Sequence, residues 1–488
     1  MITRRQFISA TGLGAAALAA TPLLDACSSS ASKAASATTS SAATSASAAS
    51  SSASAPSAVA SAAASSAVAS SAAASAPTGS LAASNITGHV SCAFFGAADI
   101  VKAWTPIFAD FQKSYPGITL EVVPVNATDW TSYADSVILQ MAGGKIFDVV
   151  QAPVNIQQLF AGKNVLLPLD DFLARDKAEM ASYYQDENAN FFKWTTDIVS
   201  PKGTPTYFLP ADYNTQLCWI NTKMFQDAGV PIPTNDWTWD DLMAAGKKIC
   251  TKPGTYLIDV VPNSFAFGPW AYTNGGTLLN ADWTKSTMTD PKTVEGVVFA
   301  QNLCKLGYSP KPGGAFDDVT EFSQDKLAIF GAGMWLNPSL KTAGAAGKAK
   351  VVAWPHKTQQ GTSVGWNAYP LVKKSQNQEA AWAFSKYLVS QRAVTNLAAT
   401  GQACPGLKSV FFSDTLATAC PEPGISELWN SVAYATPLPS PVASDAVTDA
   451  FAKTLTEVLS SSSDPMPLLT ALDKQLNTLL AGGSSSGG

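Results

Sequence analysis

Two carboxylate pairs stand out as groups able to do chemistry, Asp170 with Asp171 and Asp317 with Asp318. Two carboxyl groups flanking a cleft can hydrolyse a glycoside, one as acid and the other as base or nucleophile. The run "LPLDDFL" around the first pair reads instead as a helix start, where negative charge meets the positive end of the helix dipole. His89 and His356 are the only histidines, and no GxSxG occurs, so a Ser-His triad is not indicated. No CxxC pair or Cys/His cluster is present, which argues against a zinc site. No cofactor is expected.

The chemistry better represented is recognition. A pyranose offers C–H groups on its faces and hydroxyls at its edge, so a site for it needs flat aromatic rings plus groups that donate and accept hydrogen bonds. The chain carries 13 Trp and only 14% charged residues, a composition that suits such a site. Most of those indoles must be structural. Trp104 and Trp382 lie on amphipathic helix faces, Trp237 and Trp239 open a helix after a Pro-rich turn, and Trp219 sits in the strand-like "LCWIN". Trp270 in "FGPWAYTNGG" and Trp130 in "TDW" are candidates for a ligand face, with a buried helix face as the alternative for Trp270.

Such residues need elements to hold them. "HVSCAFFG" (89–96) reads as a strand, and "VKAWTPIFADFQKSYPG" places Val101, Trp104, Ile107, Phe108 and Phe111 on one helical face before Pro116 and Gly117 stop it. "ITLEVVPV" (118–125) is a second strand, the helix from "DWTSYADSVILQMAGG" is capped by Asp129, and "FDVVQAP" (147–153) is strand again. This alternation predicts an α/β fold with a parallel sheet covered by helices. Ligands of such sheets bind beyond the carboxyl ends of the strands. Phe95 and Gly96 end the first strand, Asn126 ends the second, and Asn155 follows the third.

Ahead of this body, residues 1–27 combine Arg4 and Arg5, a short Ala/Gly-rich apolar run and "LLDAC", the pattern of an export signal. The run is too short and too Ala-rich to span a bilayer. "TRRQFI" resembles the twin-arginine signal with Ser9 off pattern, and "LLDAC" resembles a lipobox, making Cys27 the expected site of lipidation. Residues 28–85 are almost wholly Ser, Ala, Thr, Val and Pro and cannot bury enough apolar surface to offset chain entropy. They read as a disordered tether reaching roughly 40 Å as a coil. The expected location is therefore the outer face of the cell membrane, with the body exported and lipid-anchored. The terminal "GGSSSGG" reads as part of a flexible tail, 481–488.

The body from 86 to about 480 exceeds what one hydrophobic core usually serves, so two lobes are expected. The formal charge of −5 comes with no basic stripe, which argues against nucleic acid. Besides Cys27, six of the seven cysteines remain, an even number in an exported chain. Cys404 with Cys420 and Cys250 with Cys304 are the pairings the spacing suggests, with free buried thiols as the alternative.

Six blocks carry a family resemblance: "FADFQKSYPGITLEVVPV", "LQMAGGKIFDVVQAP", "LFAGKNVLLPLDDFL", "CWINTKMFQDAGVPIPTNDWTWDDLMAAGKKI", "AIFGAGMW" and "NQEAAWAFSKYLVS". In order, over about 86–470, they resemble the extracellular solute-binding proteins of ABC importers, in the sugar-binding branch that includes maltose-binding proteins. The resemblance implies a monomer of two hinged α/β lobes, 86–205 with 360–410 and 206–359 with 411–480, closing on a carbohydrate for a transmembrane permease. It places a sugar-stacking ring at Trp335, cleft residues at Trp366, and polar contacts at Asn155 and at Asp212, Tyr213 and Asn214. Asn337 and Asn367 join them as neighbours of the two Trp residues. A cell-surface adhesion or sensing module of the same fold is the alternative reading, and a secreted glycoside-active enzyme a weaker one.

Overall fold

The three strands of the opening pattern form one parallel sheet in the order Ile118–Val125, Gly88–Phe95, Val149–Val150, registered from Gly88 beside Ile118 to Phe95 beside Val125. The computed structural model describes residues 85–97, 101–127, 129–200, 204–312 and 316–484. The leader, Cys27 and nearly all of the Ser/Ala-rich run lie outside the described residues.

Between the strands, the Thr105–Ser114 helix buries Ile107, Phe108 and Phe111, and Val101 and Trp104 are buried just ahead of it. The Trp130–Ala142 helix starts at Asp129, which accepts from the Ser132 amide at 2.8 Å in a reciprocal capping box. The third strand does not continue to residue 153 as the pattern suggests. Gln151 interrupts it: its amide donates to the Ala93 carbonyl at 3.0 Å and its side chain accepts from the Phe95 amide at 3.0 Å. Ala152–Pro153 then leaves the parallel sheet and pairs antiparallel with Asn367 and Ala368 in another.

That second sheet is the link of the fold. Asp212–Thr215 lies between Cys404–Pro405 and Thr362–Ala368, and the latter strand also pairs with Ala435–Pro437. After one residue, Gln216, the chain enters Leu217–Asn221 of a third sheet, ordered Tyr256–Ile258, Leu327–Ala332, Leu217–Asn221, Ala349–Val352. The C-terminal helices Ser444–Ser460 and Met466–Ser484 pack on each other, and the first also packs on Pro291–Lys305. Gln301 fixes the turn between them by donating to the carbonyls of Val458, Ser461 and Ser463, each at 3.0 Å. The last helix runs into the stretch expected as a tail from 481, because Leu476 and Leu480 bury its inner face.

The Trp residues assigned to packing are buried. Trp219, Trp237 and Trp382 satisfy their ring N–H groups on Ala332 O, Ala353 O and Asp176 Oδ2 at 3.1, 2.7 and 2.7 Å. Both expected disulfides are corrected: all six body cysteines are free, with Cys92, Cys218, Cys404 and Cys420 buried. The Cys420 sulfur is engaged by Asn337 Nδ2 at 3.0 Å, and burial pushes the thiols of Cys250 and Cys304 up to about 12 and about 11.

Helices Ser264–Tyr272 and Pro291–Lys305 cross at Gly296, where an added Cβ would sit 2.3 Å from the Trp270 carbonyl oxygen. Backbone cannot yield as a flexible side chain can, so Gly296→Ala forces the helices apart. Overpacking of this kind costs about 1–3 kcal/mol. Denaturant melts should show the loss, and an unchanged midpoint would mean the crossing is looser than described.

Candidate ligand-binding site

Strand alternation sorts the candidate residues before any ligand is considered. In the linking sheet Asp212 is paired with Asn367, Tyr213 with Trp366 and Asn214 with Gly365. Side chains alternate with a period of two, so Asp212, Asn214, Gly365 and Asn367 share one face, and Tyr213 and Trp366 share the other.

At Gly365 the first face meets the starts of two helices. A Cβ on Gly365 would lie 3.5 Å from Val154 Cγ1 and 3.6 Å from Phe265 Cε2, so this strand passes between the start of the Val154–Gly162 helix and that of Ser264–Tyr272. Asn155, half-buried, follows Val154. Asn214 accepts from the Met334 amide at 2.9 Å and so fixes the turn carrying Trp335. Gly333 leaves room for the ring to fold back over the chain, since a Cβ there would fall 2.1 Å from Trp335 Cζ3. Trp335 is 43% exposed and lies 5.8 Å from Phe265, centroid to centroid.

A second aromatic pair stands at the carboxyl ends of the parallel strands. The rings of Phe95 and Trp130 are 4.2 Å apart at 32°, both half-exposed. Gln151 joins this pair to the linking sheet, because it holds the Phe95 amide and immediately precedes the residues paired with Asn367 and Ala368. Gly96, at φ 105°, takes the left-handed backbone that turns the chain after the strand, and Asn126 is exposed beside it on the neighbouring strand's end.

Four expected contacts are placed elsewhere and are corrected. Trp366 is 1% exposed on the opposite face, stacked at 5.8 Å and 19° on Trp194. Tyr213 shares that face, among Phe191 and Phe411. Trp270 is buried against Trp354 and Phe299 because it lies in the part of the helix "SFAFGPWAY" that is buried on every side, residues 267–272, while Phe265 at the helix start stays half-exposed. Asn337 is fully buried, donating to the Ala419 carbonyl at 3.0 Å.

Asp212 is the one acid on the inner face. It is 2% exposed, accepts from Asn367 Nδ2 at 2.7 Å, and burial raises its pKa to about 6 against the opposing pull of that bond. The carboxylate pairs first considered for hydrolysis are helix starts. Asp170 accepts from the Thr206 amide at 3.0 Å, and Asp317 caps Asp318–Ser323 through the Thr320 amide. His89 sits at the surface beside Glu121, and His356 joins a bridge with Thr238. Phe265 and Gln151 are the residues that sequence reasoning missed. Phe265 has no distinguishing pattern, and Gln151 hides inside an apolar strand run.

Residues 97–395 match the family of bacterial extracellular solute-binding proteins. The chain belongs to that family. An ABC substrate-binding protein of Listeria monocytogenes, in complex with cycloalternan, superposes with a TM-score of 0.72 at 22% identity, covering 81% of this chain and 99% of that one. The GacH receptor of Streptomyces glaucescens, described unliganded and with acarbose, gives 0.67 at 20% identity, covering 81% and 99%. UgpB of Mycobacterium tuberculosis, in complex with glycerophosphocholine, gives 0.67 at 17%, also covering 81% and 99%. The fold of this solute-binding protein is thus the two-lobe α/β arrangement with its cleft between lobes. Membership implies export, and the family and these neighbours are binding proteins. No helix among the described residues is long and apolar enough to cross a membrane.

Proposed function

We propose that this solute-binding protein takes up a neutral carbohydrate, an oligosaccharide or glycoside, between its lobes and presents it to the permease of an ABC importer. What supports the reading is two aromatic pairs, Phe95 with Trp130 at the end of the parallel sheet and Phe265 with Trp335 near the linking strand, together with Asn214, Gly365 and Asn367 on one face of that sheet. Ring faces suit sugar C–H patches, and side-chain amides both donate and accept toward hydroxyls. These residues carry no charge to neutralise an anion.

The lobes on this reading are 86–205 with 360–410 and 206–359 with 411–480. Contacts to both lobes exist only in the closed form, so a bound sugar shifts the balance toward closure by its differential affinity. Binding needs neither a covalent step nor a cofactor. Lipidation of Cys27 and the 28–85 tether would hold a monomeric body at the outer membrane face.

A carbohydrate panel tested by thermal shift on residues 86–488 checks the ligand class. A sugar present at 100 times its dissociation constant adds about 2.7 kcal/mol of stability. A shift with a peptide or polyamine and with no sugar would rule out the reading. Radiolabelled palmitate should mark the wild type and not Cys27→Ser; equal labelling would remove the anchor.

A further inference from the structure

Asn367 shares a face of the linking sheet with a buried acid on the neighbouring strand. Asn367 Nδ2 donates to Asp212 Oδ1 at 2.7 Å, and the Tyr369 hydroxyl is the other donor beside the carboxylate, each opposing the effect of burial. Asp212 also lines a cavity of about 10 Å³ walled by Trp104, Ile107, Leu388 and Leu397, where the Tyr369 hydroxyl is the one other polar side-chain group of the lining near the carboxylate. The titratable groups facing it are Glu187, just past the Ala181–Asp186 helix, Tyr369, just past the Thr362–Ala368 strand, and Cys404 on the neighbouring strand. None of these is a cation. Glu187 is itself buried with Oε2 unpartnered, so the two acids oppose each other's ionisation.

We propose that Asp212 is a positioning residue whose proton sets which way round the Asn367 amide is presented to the ligand. This rests on the reading of Asn367 as part of the carbohydrate site. An ionised carboxylate only accepts, so Asn367 must turn Nδ2 toward it and leave Oδ1 as the acceptor for a sugar hydroxyl. A protonated Asp212 carries an O–H that Asn367 Oδ1 can accept, and the amide turned by half a rotation then offers Nδ2 as a donor. One buried proton thereby exchanges acceptor for donor at the same point of that face. Burial places this exchange near pH 6.

The test uses the unliganded protein with ¹⁵N-labelled asparagine, followed by NMR from pH 4.5 to 8. The Asn367 side-chain signal is assigned by its loss in Asn367→Ala. In the wild type that signal should titrate with a midpoint near 6, in Asp212→Asn it should stay fixed, and in Glu187→Gln it should still titrate. A flat wild-type signal overturns the proposal. So does a titration that survives in Asp212→Asn, or one that Glu187→Gln abolishes. A second arm measures affinity for the best sugar of the panel over the same range. A change of threefold or more in the wild type, absent in Asp212→Asn, supports the link, and pH-independent wild-type affinity overturns it. If no sugar binds at any pH, the carbohydrate reading fails on its own, and the amide titration still decides the proton's role.

Discussion

Replacing Trp335 by alanine lowers carbohydrate affinity by at least tenfold and leaves the folded state intact. The ring is 43% exposed and leans on Phe265, so its removal opens no core cavity. What is lost is a flat face against sugar C–H groups, and tenfold corresponds to only about 1.4 kcal/mol. Phe265→Ala should act in the same direction, since it removes the neighbour that orients the indole. Trp366→Ala provides the contrast. That side chain is 1% exposed beneath Trp194 and Phe191, so its truncation leaves a cavity and should destabilise folding by about 3–5 kcal/mol. Isothermal titration and denaturant melts separate the two effects. Unchanged affinity in both Trp335→Ala and Phe265→Ala would leave the cleft without its stacking wall.

The second large effect concerns pH and stability. Burial raises Asp212 to about 6, above the ordinary carboxyl value of 3.8. Between those values the native state binds the proton more tightly than the unfolded chain. Stability is therefore lost as pH rises through this window, by about 3 kcal/mol. Asp445, also raised to about 6 by burial and by Asp135 and Asp449, acts with the same sign. Asp176 has the opposite sign. Arg175, with Trp382 and Lys386, holds it well below the carboxylate range, so its contribution disappears only as pH falls below about 4. Asp212→Asn should thus raise the denaturant midpoint at pH 7, do little at pH 4.5, and flatten the slope between. An unchanged pH 7 midpoint in the variant would show that the carboxylate is solvated in the native protein.

The alternation of strand and helix was legible because each element repeats its own period within about ten residues. The Asp129 cap and the face formed by Ile107, Phe108 and Phe111 are local features of that kind. The linking sheet was not legible. Its pairs, such as Asp212 with Asn367 and Pro153 with Asn367, join segments far apart in the chain, and no local period announces them. The alternation within "TSVGWNA" is visible in the sequence, yet which face packs against Val154 and Phe265 is decided by segments remote from it. The expectation of Trp366 in the cleft rests on the family resemblance, which does not carry that information. Trp270 is different: seven of the nine residues in its helix are buried, and the unbroken apolar run around it was a readable sign of a core helix.

The direction of the first strand has a practical side. It enters at Gly88 and reaches the Phe95–Trp130 pair only at its other end, a separation of about 25 Å at the usual rise per residue. A sensor surface coupled through residues ahead of Gly88 would hold the molecule by its far pole. Analyte would then diffuse freely to the mouth, and a fluorophore placed near Asn126 would report occupancy without shielding from the support.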